Sequence, residues 1–204
     1  MRVLVTGFGP FPGAPLNPSA LLVKALARKR RPALAGIELI THVFPTSYAA
    51  VDRDLPKLLA RKPDVVLLFG LAGRRRHLCI ETRAQNAITL VYPDADRHRP
   101  QHGAMVVGAA SSLRGNSPFM RLLSAVRGRF PVRLSRDAGR YLCNYVYWQA
   151  LHRTHDGHPL VQFVHVPPVR VGPRRPQRHR RQSLVQLVRA TEAILIELVA
   201  ASRS

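Results

Sequence analysis

Two side chains in this sequence have the types and settings to do covalent chemistry together. Cys143 stands in DAGRYLCNYVYW, where a glycine-containing approach leads into an apolar, aromatic stretch that reads as a helix, and His165 stands in the short strand-like run VQFVHVPP. A thiol near a helix start, met by an imidazole from a later strand, is the minimum apparatus of a cysteine hydrolase. An unperturbed thiol has a pKa of about 8.5 and is mostly protonated at neutral pH, so a nucleophile of this kind needs a helix N-terminus or a cationic neighbour. Asp137 to Gly139 predict that Cys143 falls in the first turn or two of a helix beginning near Ala138. The third member of such a set is a carboxylate that orients the imidazole. Only 11 Asp and Glu residues are available, and Glu81 stands out because it follows the Gly-rich turn FGLAG in an otherwise basic and apolar run. An ion pair with Arg75, Arg76 or Arg83 is its plain structural reading.

The other reactive types read as structural. Cys79, in RRRHLCIET, sits in a strand interior, the usual place for a buried thiol. His165 differs from an ordinary histidine by its place at the C-terminal end of a strand, just before Pro167 and Pro168. That edge of an open α/β sheet is where ligands and catalytic groups collect. His152, His155 and His158 recur at three-residue spacing and His98 and His102 at four, but no cysteine pair or carboxylate completes a metal site, and no metal is expected. Gly7, Gly9 and Gly13 superficially suggest a nucleotide loop, yet their spacing and the interposed prolines do not fit the dinucleotide fingerprint.

These groups must be positioned by elements the sequence marks out. Apolar runs at Val3 to Thr6, Ile37 to Phe44, Val65 to Phe69, Leu78 to Ile80 with its continuation, and Leu160 to Val166 alternate with longer amphipathic stretches. That is the pattern of βα units around a mostly parallel sheet. Asn17, Pro18 and Ser19 open a helix running to about Arg30. A second covers Tyr48 to Arg61, with Pro56 arguing for a bend or a late start, and Asn116 to Pro118 introduce a third through Arg127. Ser183 caps a last helix whose Leu184, Leu187, Val188, Ile194, Leu195, Leu198 and Val199 form a broad apolar stripe. At 204 residues the chain suits a single domain over 1–204, since single cores stop growing at roughly 250–300 residues.

Composition narrows the class further. Met1 opens directly into the strand VLVTG, and no stretch approaches the ~20 apolar residues that spanning a bilayer requires, so the expectation is a cytoplasmic, soluble protein with no membrane partner. Its two cysteines make no disulfide framework. The formal charge of +21 is more usual in proteins that neutralise phosphates. Yet the cations are scattered, nearly all Arg, and concentrated only at 28–31, 74–76 and in the loop from Arg174 to Arg181, where no aromatic residues interleave to stack on bases. The expectation is a solvated basic face, with nucleic acid a minor alternative. The loop from Arg174 to Arg181 could border the site.

Four blocks, in order, carry a family resemblance: VLVTGFGPFPG followed by NPS, GLAGRRRHLCIETRAQN, SRDAGRYLCNYVYW, and FVHVPP. On these the chain resembles the pyroglutamyl peptidase I family, the pyrrolidone-carboxylate peptidases, cysteine exopeptidases that remove an N-terminal pyroglutamyl residue. The resemblance implies a three-layer α/β/α domain in which Cys143 is the nucleophile, His165 the general base and acid, and Glu81 the group that orients His165. It also implies that Phe8 and Phe11 flank the flat pyrrolidone ring, that Asn17 shapes their loop, and that the protein is a homo-oligomer, often a tetramer, acting on pyroglutamyl peptides without metal or organic cofactor. A neutral lactam suits apolar ring faces with a few placed hydrogen bonds. Two positions depart from the family pattern. Leu71 replaces a common Gln in the Gly-x-Ala-Gly turn, and Val91 replaces an Arg ten residues after Glu81, a cation for which Arg75, Arg76 or Arg83 could substitute. These departures bear on substrate identity and rate, so a divergent homologue with another amide substrate is the competing expectation.

Overall fold

The five apolar runs become five of the strands of a six-stranded sheet. The computed structural model describes residues 1–154, 158–170 and 182–204. In chain order the strands are β1 (Arg2–Phe8), β2 (Glu38–Phe44), β3 (Val65–Leu71), β4 (Leu78–Glu81), β5 (Arg83–Gln85), β6 (Ser112–Arg114), β7 (Val132–Ser135) and β8 (Leu160–Val166). The main sheet has the order β2-β1-β3-β8-β4-β7, while β5 and β6 form a separate antiparallel ribbon. All pairs in the main sheet are parallel except β4 with β8. The chain between β3 and β4, residues 72–77, is too short for a crossover, so β4 runs back against its neighbour.

Among the described residues five α-helices cover the sheet: α1 (Pro18–Ala27), α2 (Tyr48–Leu59), α3 (Phe119–Val126), α4 (Leu142–His152) and α5 (Leu184–Arg203). Alternate strand residues point to opposite faces. Val3, Val5, Val65, Leu67, Phe69 and Val164 therefore pack with α1, α3 and α5, whereas Leu4, Val66, Leu68, Val161 and Phe163 pack with α2 and α4. Burial on both faces is why β1, β3 and β8 read as continuous apolar runs. The fold is α/β with a mostly parallel central sheet, layered as expected. Among the described residues no helix is long and apolar enough to cross a membrane.

Several element boundaries differ from the sequence expectation. Helix α1 ends at Ala27 and not near Arg30, α3 ends at Val126, and α2 begins at Tyr48 with Pro56 inside it, so the proline does not delay the start. Helix α4 begins at Leu142, four residues after Ala138, because Gly139 has φ of +82°, outside right-handed helical geometry. The continuation beyond Ile80 is a separate strand, β5, and strands β6 and β7 were not expected. They are three or four residues long and partly exposed, and they carry no continuous apolar run.

Candidate active site

His165, one residue from the end of β8, lies in register with Gly70 of β3 on one side and Cys79 of β4 on the other. Its ring projects to the face covered by α4, beside Phe163, with ring centroids 4.9 Å apart. Cys143 is the second residue of α4, in its first turn, and is half-buried. Its sulfur rests on bare backbone: a Cβ at Gly70 would lie 2.6 Å from Sγ and 2.7 Å from Cζ of Phe163, so only glycine leaves the nucleophile room. The sulfur and the His165 ring are hydrogen-bonding partners.

His165 Nδ1 lies 2.8 Å from Oε1 of Glu81, which leaves Nε2 as the ring nitrogen available to the sulfur. Both groups are removed from solvent, Glu81 being 0% and His165 6% exposed. Burial by itself pushes the imidazole toward its neutral form. The charge and hydrogen bond of Cys143, then those of Glu81, outweigh it and push the His165 pKa up to about 9. A buried imidazole set between a sulfur and a carboxylate can take the thiol's proton, hold it as the imidazolium, and pass that same proton to a leaving group.

The carboxylate is itself held. The Glu81 backbone carbonyl accepts from Tyr147 Oη at 3.1 Å and Gln162 Nε2 at 3.0 Å. Tyr147 lies on α4, and Asn144, next to the candidate nucleophile, bonds the backbone of Gln85 through both its oxygen and its nitrogen, at 2.9 and 2.8 Å. Helix α4 and the chain after Glu81 are thus clamped together. Arg75 Nη1 donates to Glu81 Oε1 at 2.9 Å. The ion pair and the histidine contact, which the sequence posed as alternatives for Glu81, coexist on one oxygen atom. Arg76 and Arg83 are exposed.

The remaining expected positions land around this centre with different environments. Phe8 is the last residue of β1 and not part of the loop; it is buried and packs on Phe44 with centroids 5.8 Å apart. Phe11 is half-buried in the following loop, bridged to Ala14. Asn17 is buried, donates to the Gly9 carbonyl at 3.0 Å and accepts from the Ser19 amide at 3.1 Å, so it ties that loop to the start of α1. Leu71 ends β3, half-buried, and Val91 is 67% exposed. Cys79 is buried in β4. Among the described residues no group of three or more His, Cys, Asp or Glu could hold a metal. The loop from Arg174 to Arg181 and His155 lie outside the described residues. Gly70, Asn144, Tyr147 and Gln162 were not singled out from the sequence. Gly70 was nonetheless visible in FGLAG, and Asn144 and Tyr147 in the block around Cys143.

A thiol at a helix start, an imidazole at the carboxyl edge of a parallel strand and a buried carboxylate on an α/β sheet are the equipment of a cysteine hydrolase. Residues 1–201 match the family model for pyroglutamyl peptidase. Pyrrolidone-carboxylate peptidase of Thermococcus kodakarensis is 33% identical over 171 residues, covering 82% of this chain and 81% of that protein. Pyrrolidone-carboxylate peptidase 1 of Ralstonia nicotianae is 33% identical over 169 residues, covering 81% and 77%. The crystal structure of the pyrrolidone carboxyl peptidase from Thermus thermophilus superposes with a TM-score of 0.82 at 29% identity, over 97% of this chain and 100% of that one. A mutant of the Pyrococcus furiosus enzyme gives 0.86 at 28%, over 99% and 100%. The chain belongs to the pyroglutamyl peptidase family.

Proposed function

We propose that the protein is a cysteine exopeptidase that hydrolyses the amide bond after an N-terminal pyroglutamyl residue, using Cys143, His165 and Glu81. His165 accepts the Cys143 proton, and the sulfur attacks the pyroglutamyl carbonyl while backbone amides in the first turn of α4 stabilise the oxyanion. The imidazolium then protonates the leaving amine. Water, deprotonated by the same ring, cleaves the thioester, releasing pyroglutamate and restoring the thiol. Glu81 keeps Nδ1 protonated, so that Nε2 does the transferring. Phe8, Phe11 and Leu71 offer apolar surface to the lactam, and Asn17 holds the loop that carries Phe11. We further propose one domain over 1–204, a cytoplasmic location and a homo-oligomer.

The observation that carries this reading is the chain of contacts from Cys143 through His165 to Glu81, drawn from three separated segments. The test is cleavage of a pyroglutamyl chromogenic amide. Wild type is expected to release the chromophore, and Cys143→Ala to lose activity by more than about 10³-fold, as removal of a covalent nucleophile does. Equal rates in the two proteins, or no cleavage by a folded wild type, reject the proposal. A panel of other N-terminally blocked peptides decides the competing case: preference for another acyl group over pyroglutamyl would make Leu71 and Val91 marks of a changed substrate.

A further inference from the structure

We propose that Arg75 is a positioning residue of this site: its guanidinium fixes the Glu81 carboxylate in the orientation that serves His165 and locks it to the loop leading into the nucleophile helix. The proposal rests on the roles given above to Cys143, His165 and Glu81.

The first support is the way Glu81 is held. His165 Nδ1 at 2.8 Å and Arg75 Nη1 at 2.9 Å both reach Oε1, while Oε2, also buried, has no hydrogen-bond partner among the described residues. The carboxylate head therefore rests on two bonds at one oxygen, and without Arg75 the imidazole alone would hold it. A side-chain carboxylate rotates readily about its last torsion, so a single bond leaves its direction poorly set.

The second support is where the other arm of the guanidinium goes. Nη2 donates to the backbone carbonyl of Asp137 at 3.1 Å. Asp137 belongs to the turn before α4, closed by Ser135 Oγ accepting from its amide at 3.2 Å and by its own carboxylate accepting from the Gly139 amide at 2.9 Å. One planar fork thus spans the orienting acid and the chain that delivers Cys143, a task suited to a rigid guanidinium and not to an ammonium.

The third support is the backbone of Arg75. Its amide donates to the Ala72 carbonyl at 3.0 Å, and the Ala72 amide donates to the Val166 carbonyl at 2.9 Å, one residue past His165. The turn between β3 and β4 is therefore pinned to the strand that carries the base. Through this turn Arg75 reaches the base, the acid and the nucleophile's loop together. Arg76 and Arg83, the other cations that could have replaced the family's Arg at position 91, are exposed.

The test compares Arg75→Gln and Arg75→Lys with Arg76→Gln and Arg83→Gln, which remove the same charge from exposed sites. For each protein, kcat and KM on a pyroglutamyl amide are measured beside the rate of iodoacetamide alkylation of Cys143 at pH 7, read by peptide mass. Arg75→Gln is expected to lower kcat by about 10–100-fold with KM within roughly threefold, and to slow alkylation several-fold, as misorientation of reacting groups does. Arg75→Lys recovers part of the rate, because an ammonium can meet Glu81 but not also Asp137. The exposed-site variants match wild type. Wild-type kcat and alkylation in Arg75→Gln, or equal losses in Arg76→Gln and Arg83→Gln, overturn the proposal. Should Arg75→Gln lose its native circular dichroism, Arg75→Lys decides, since undiminished kcat there also overturns it. Alkylation needs no substrate, so a wild type that leaves pyroglutamyl amides uncut refutes the proposed function while Arg75 is still judged on the thiol.

Discussion

His165 holds a proton that burial would remove, because a sulfur on one side and a carboxylate on the other favour the imidazolium. Its pKa in the fold, pushed up to about 9, exceeds the ~6.5 of a free imidazole, so the folded state binds this proton more tightly than the unfolded chain does. The resulting stabilisation is complete below about pH 6.5 and is lost as the pH rises through about 9. Thermal melts are expected to show Tm falling between pH 7 and 9.5 in wild type, with the fall beginning at lower pH in Cys143→Ala, where the largest favourable influence on the ring is gone. Superimposable curves would mean that the sulfur does not govern this titration. At the same scale, the sequence sufficed to nominate Cys143, His165 and Glu81, because thiol, imidazole and carboxylate are chemically conspicuous. It could not say which arginine meets Glu81, since Arg75, Arg76 and Arg83 are equally good cations until a turn points one of them inward.

Helix starts set by a side-chain cap two or three residues away were readable, and the one set by a backbone turn was not. Asn17 accepts from the Ser19 amide, and Ser183 closes a capping box with Gln186; both are short-range patterns. Helix α4 has no side-chain cap, and its start depends on the backbone turn at Gly139. Asn17 also holds Gly9, so two effects separate by mutation. Asn17→Ala is expected to cost about 1–2 kcal/mol in denaturant unfolding, for a lost cap and a lost buried bond. Asn17→Ser keeps a capping oxygen and most of that stability, yet both variants raise KM because the loop carrying Phe11 is released. An unchanged KM in both would separate this loop from substrate binding.

Across the whole molecule, 32 Lys and Arg face 11 Asp and Glu. Several of the acids are already paired, Glu38 with Arg2 and Arg61, Asp54 with Arg53, Glu192 with Arg31 and Glu197 with Arg121. The excess cations repel one another, and the exposed pairs contribute only about 0–1 kcal/mol each. Raising NaCl from about 0.01 to 1 M shortens the screening length from about 30 to 3 Å, and Tm is expected to rise by several degrees. A falling Tm would show that attractive pairs outweigh the repulsion. The charge was plain from composition, but which acids are engaged and which cations are left to solvent depends on the fold.

By itself the sequence determined the α/β class, the apolar strands, the family and the three groups with reactive chemistry, because periodicity, capping and residue type are local properties. Only the tertiary structure decided that β8 lies between β3 and β4, that Gly70 clears space for the Cys143 sulfur, and that one oxygen of Glu81 serves both His165 and Arg75. Glu81 and His165 stand 84 positions apart in the chain, and Gly70 and Cys143 are likewise remote from one another. Strand order and turn geometry bring them together, and neither is encoded in any single stretch of residues.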